Sequence, residues 1–142
     1  MKLLANESKI ISIDKVKNEL YDKSAKPEDY DDLEKWCRSN LPDNFFKETT
    51  HDIVSYSKVV AWAHSKGNHY SQAALHEFLD ADEADAFLVA HALSDLENRT
   101  VVTYEKSDPI TKKKIKIPEA CNHFNIKFIT SMNMFRELGE TF

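Results

Sequence analysis

Apolar residues recur at three- and four-residue steps in several stretches of the chain, separated by short runs rich in β-branched side chains. Lys9-Ile10-Ile11-Ser12-Ile13 reads as a strand, and Asp14 follows as a candidate N-cap for a helix through Leu20. Pro27, Glu28 and Asp29 suit the first turn of a second helix, in which Tyr30, Leu33, Trp36 and Cys37 share a face, and Asn40-Leu41-Pro42 ends it. From His51 to Lys66 the pattern repeats with Ile53, Val54, Tyr56, Val59, Val60 and Trp62, and Gly67 is expected as a left-handed cap. Ser71 to Leu79 predicts a short helix carrying Ala74, Leu75, Phe78 and Leu79, followed by an acidic turn over Asp80-Ala81-Asp82-Glu83.

The most apolar helix comes next. Asp85 opens it, Leu88, Val89, Ala92, Leu93 and Leu96 form a wide apolar face, and the small Ala84, Ala86 and Ala90 let it lie close against a sheet. Thr100-Val101-Val102-Thr103-Tyr104 reads as a buried parallel strand, which places Glu105 at the carboxyl end, where such sheets bind ligands. Residues Lys106 to Lys116 are polar and lysine-rich. Ile115 to Pro118 reads as extended, Glu119 to His123 as a turn of helix, Ile126 to Thr130 as a last strand, and Met132 to Leu138 as a closing helix capped by Gly139. Helices alternating with short strands predict the α/β class with a small parallel sheet, in one domain over residues 1–142 without internal repeats.

Composition narrows the function classes. With 142 residues, 42% hydrophobic, the chain is long enough for one real core. A net charge of -5 argues against a broad basic nucleic-acid face, and no apolar run reaches membrane-spanning length. Asn6, Glu7 and Ser8 interrupt the opening where a secretory signal needs apolar residues, so a cytoplasmic setting is expected, with Cys37 and Cys121 reduced and buried. Two glycines leave no phosphate-cradling loop, no nucleophile elbow is present, and the six histidines have no shared metal spacing, although His69 and His76 are seven apart. Trp36, Trp62, Phe45 and Phe46 read as core or helix-packing residues.

Three acids stand out by position. Asp85 at a helix start, Glu105 after the following strand, and Glu19 on the helix after the first strand are expected to converge at one sheet edge. Convergent carboxylates repel unless a divalent cation neutralises them, and magnesium favours oxygen ligands. A plainer account gives Asp85 to the helix dipole and leaves Glu105 and Glu19 as solvated surface charges.

IISIDKVKNEL, FLDADEADAFLVAHAL, VVTYE, KIPEAC and the closing MFRELGETF together resemble a PIN domain, of a branch related to VapC-type toxin ribonucleases. The resemblance spans nearly the whole chain and implies a three-layer α/β/α fold and a Mg²⁺- or Mn²⁺-dependent endoribonuclease of toxin-antitoxin type. It implies Glu19, Asp85 and Glu105 as catalytic metal ligands, and Thr103 beside Glu105 to orient a ligand or water. The lysine-rich segment after Glu105, with Lys112, Lys113 and Lys114, is placed where it would meet RNA phosphates, although it also fits a solvated loop. An antitoxin protein and a homodimer are the implied partners. One departure stands out: the PIN pattern opens with a strand ending in an Asp, near the middle of the sheet, and nothing in MKLLANESK matches it. The first strand is therefore expected to be absent from this N-terminally shortened PIN-like domain. A noncatalytic PIN-like remnant or interaction module is the alternative.

Overall fold

The computed structural model describes residues 5–6, 9–21, 26–80 and 83–139. The acidic turn expected at residues 80–83 falls partly outside them, as does most of the opening segment. The elements in order are β1 (Ser12–Ile13), α1 (Asp14–Leu20), a 3₁₀ turn (Pro27–Asp29), α2 (Asp32–Asn40), β2 (Phe46–Lys47), a 3₁₀ turn (Thr50–Asp52), α3 (Ile53–Ser65), α4 (Gln72–Leu79), α5 (Asp85–Leu93), β3 (Val101–Val102), α6 (Ile117–Phe124), β4 (Phe128–Ile129) and α7 (Ser131–Glu137). The molecule is α/β, mostly helical. Instead of one sheet, it has two separate parallel pairs among the described residues, β1 with β2 and β3 with β4.

Helix α5 organises the core. Ala86, Phe87, Val89, Ala90, His91 and Ala92 are all buried, so the helix has no continuous polar stripe and must be covered on several sides. It packs chiefly on α3, and also meets α4, α6, β1 and β3. Alanines on α5 permit these close approaches, and Tyr56 of α3 stacks on Phe87 with ring centroids 4.3 Å apart. The Tyr56 hydroxyl donates to the carbonyl of Leu79 (2.9 Å), tying α4 to the same joint. Trp62, Leu75, Phe78, Ile115, Ile117 and Cys121 complete the cluster. Burial pushes the Cys121 thiol up to about 12, and both cysteines are buried and free, as their isolation implied.

Several expectations change at the local level. Asp14 does not cap α1: Ile13 holds that position, while the Asp14 carboxylate accepts from the Thr49 amide (3.2 Å) and hydroxyl (2.8 Å), holding α1 to the segment after β2. Asp31 caps α2 by accepting from the Glu34 amide. Positive φ falls at Asn125 and Gly139 among the described residues, so Gly67 is not the left-handed cap of α3, and Asn125 takes that role after α6. Helix α6 starts at Ile117 with Pro118 in its first turn, where an extended segment was expected, because that turn needs no proline N–H. Phe46 forms a strand, Trp36 is 40% exposed, and His69 stands outside a helix with Nε2 3.0 Å from the Thr111 carbonyl.

Truncating Phe78, 3% exposed in this cluster, to alanine is expected to lower unfolding free energy by about 3–5 kcal/mol in urea denaturation, whereas Val54→Ala, at a 72% exposed site, stays within about 0.5 kcal/mol of the parent.

Candidate functional site

Asp85 is the first residue of α5 and is partly buried. Burial, then the charge of Glu105, raise its carboxyl above the ordinary 3.8; Lys114 opposes the shift, and Glu83 and Glu77 add to it. Glu105 lies three residues past β3 with its side chain only 10% exposed, and its buried Oε2 has no hydrogen bond among the described residues. Among the described residues its close countercharge is the Lys114 ammonium, 3.7 Å from that oxygen.

Backbone geometry explains how Glu105 is aimed. Thr103 is buried, donates its amide to the Ile129 carbonyl (3.0 Å), and accepts the Glu105 amide at its hydroxyl (3.1 Å). The expected neighbour is thus present, and its hydroxyl oxygen is engaged in shaping the turn that carries the carboxylate.

Glu19 arrives from the last turn of α1. Its Oε1 accepts the Ala84 amide (3.1 Å), an orphan donor at the start of α5, across 65 residues of sequence. Partial burial raises its carboxyl from the ordinary value, the Ala84 N–H opposes this, and Glu83 and Asp85 add to the rise. The structure therefore brings Glu19, Asp85 and Glu105 to one end of α5. It does not gather three of them at mutual ligand distance: among the described residues no group of three His, Cys, Asp or Glu side chains is arranged to hold a metal.

Sequence reasoning missed Glu77. With Asp85, Lys114 and Ile115 it lines a small crevice beside the pair. Nothing in the α4 sequence marks it, because which polar residue faces a neighbouring element is set by packing. Lys112 and Lys113 are exposed, and the Lys112 carbonyl accepts the Ser71 amide (2.9 Å), which anchors the lysine segment to the start of α4. Lys114 differs from both by turning back to the acids.

The donor chemistry suits a hard divalent cation. Glu105 Oε2 is a buried oxygen with no donor hydrogen bond, Asp85 and Glu105 repel, and magnesium binds through one or two carboxylates while retaining waters.

Helices around small parallel β pairs, with acids collected at the amino end of the central helix, define an α/β protein with an acidic site. The chain belongs to the family described as Domain of unknown function (DUF4411), whose model matches residues 1–142. Searches of curated proteins and of solved structures gave no match.

A carboxyl whose folded value is raised binds its proton more tightly in the folded chain, so its contribution to stability is greatest below the unfolded value and is lost as pH rises through the folded one. Asp85→Asn, which cannot ionise, is therefore expected to have a higher urea midpoint than the parent at neutral pH without divalent ions, and a smaller loss of stability between acidic and neutral pH.

Proposed function

We propose that this protein is a metal-dependent endoribonuclease of toxin-antitoxin type on a PIN-like fold, with Mg²⁺ or Mn²⁺ held by Asp85 and Glu105 and supported by Glu19. The observation that carries the reading is the buried, hydrogen-bond-free Oε2 of Glu105 set against the partly buried Asp85.

The chain's own residues divide the work. Asp85 and Glu105 would hold the cation, while Glu19 holds the α5 entrance through the Ala84 amide and Thr103 fixes the Glu105 backbone. A divalent cation held there would supply Lewis-acid charge neutralisation and water activation for phosphodiester hydrolysis. Lys112 and Lys113, exposed on the tethered segment, contact RNA phosphates, offsetting the overall charge of -5. An antitoxin that covers the acids, a homodimer and a cytoplasmic location belong to the same reading.

A second reading has its own observation. Lys114 sits where a cation is needed, and no three-donor group occurs among the described residues, which favours a noncatalytic PIN-like module that has replaced metal by an internal ammonium.

Calorimetric titration with Mg²⁺ or Mn²⁺ separates the two. The nuclease reading expects saturable binding, weakened roughly tenfold or more by Asp85→Asn and by Glu105→Gln, together with RNA cleavage abolished by chelator. A folded chain without metal affinity would leave the noncatalytic module. Lys114→Met is expected to tighten metal binding, because it removes the competing charge 3.7 Å from Glu105.

A further inference from the structure

At the other end of α5 lies a second polar feature that the proposed nuclease chemistry does not use. His91 is six residues beyond Asp85, about 9 Å along the helix axis. Its ring helps line an open cleft of about 460 Å³, together with Phe46, Lys47, His51, Asp52 and Arg99. That volume lies in the ordinary range of small-molecule sites, roughly 300–1,000 Å³.

The floor of the cleft is built. Asp52 is 5% exposed; its Oδ2 accepts from His91 Nδ1 (2.7 Å) and its Oδ1 from the Ser94 hydroxyl (2.9 Å), so both of its oxygens are engaged within the protein. Arg99 is held in turn, its Nη1 donating to the His91 carbonyl and to the Ser94 hydroxyl (2.8 Å). Its guanidinium is thus fixed with no carboxylate partner among the described residues. Lys47, placed by the pairing of β2 with β1, also has no acidic partner among them. Of the lining carboxylates only Glu48 is unmatched, and it is exposed. Among the described residues the buried His91 ring has no hydrogen-bond partner at its Nε2.

A cleft with two cations that have no carboxylate partner among the described residues, one of them a planar fork held by a backbone carbonyl and a hydroxyl, is suited to an oxyanion. Guanidinium groups recognise such ions through paired N–H donors. The Phe46 ring adds an apolar wall beside the charges, which suits a ligand that carries more than the anion alone. We propose that this cleft binds a small phosphate-bearing molecule, with Arg99 and Lys47 as its anion contacts, Asp52, His91 and Ser94 as the residues that position Arg99, and Phe46 against the remainder of the ligand.

The test is calorimetry on the full chain with inorganic phosphate, adenosine 5′-monophosphate and acetate as separate probes. Saturable one-to-one binding of phosphate is expected, tighter for the nucleotide than for phosphate and weaker for acetate. Arg99→Met and Lys47→Met are each expected to weaken it roughly tenfold or more, the worth of a charged hydrogen bond, with Arg99→Lys falling between them and the parent. Lys127→Met, which removes a surface lysine paired with Glu137, leaves the affinity unchanged. Thermal unfolding of each variant confirms that it is folded. Absence of saturable phosphate binding, affinity that survives both substitutions, or acetate binding as tight as phosphate would overturn the proposal. None of these outcomes bears on divalent-metal binding at Asp85.

Discussion

Helix α5 cannot be left in water on any broad face. Its alanines, Val89 and Phe87 are buried, and covering them requires α3, α4, α6 and both β pairs to gather round one short cylinder. Small side chains make that possible, since each neighbouring element approaches backbone closely where only a methyl group intervenes. The two ends of the helix inherit the consequence. Asp85 emerges at one end among Glu19, Glu77, Glu83 and Glu105, and His91 reaches the other beside Asp52 and Arg99. A hydrophobic requirement in the middle thereby sets two polar sites at the ends.

The acidic end is an electrostatic problem with two solutions. Carboxylates brought together under partial burial raise one another's proton affinity and cost stability when ionised. A divalent cation or an ammonium relieves that cost. Lys114 already provides part of the second solution at 3.7 Å from Glu105, and its crevice with Glu77 and Asp85 is small, so any cation must share the space with it. The strength of that competition separates an active site from a scaffold that has kept its acids.

Much of the architecture was legible along the chain. The spacing of Val59 and Trp62, the apolar run Ala74, Leu75 and Phe78 of α4, the alanine-rich run after Asp85 and the β-branched pair Val101–Val102 each carry their element locally. The expectation that Glu19, Asp85 and Glu105 meet at one sheet edge assumed a single sheet, whereas β1–β2 and β3–β4 are separate pairs, and the acids approach one another around the start of α5 instead. Glu77, Lys114 and the Asp52–His91 pair were not legible. They depend on which face of a helix or loop meets a neighbour, over separations such as the 39 residues between Asp52 and His91.

The sequence alone determined the alternation of helices and short strands and the apolar character of the central helix, since propensity, capping and periodicity act within a few residues. Tertiary structure decided the rest. It made two parallel pairs instead of a single sheet, turned Asp14 from a cap into a tether, moved the left-handed turn to Asn125 and bent Lys114 back to the acids. Each of these outcomes depends on a partner distant in sequence or on the burial of a whole surface, and neither is encoded in a local window.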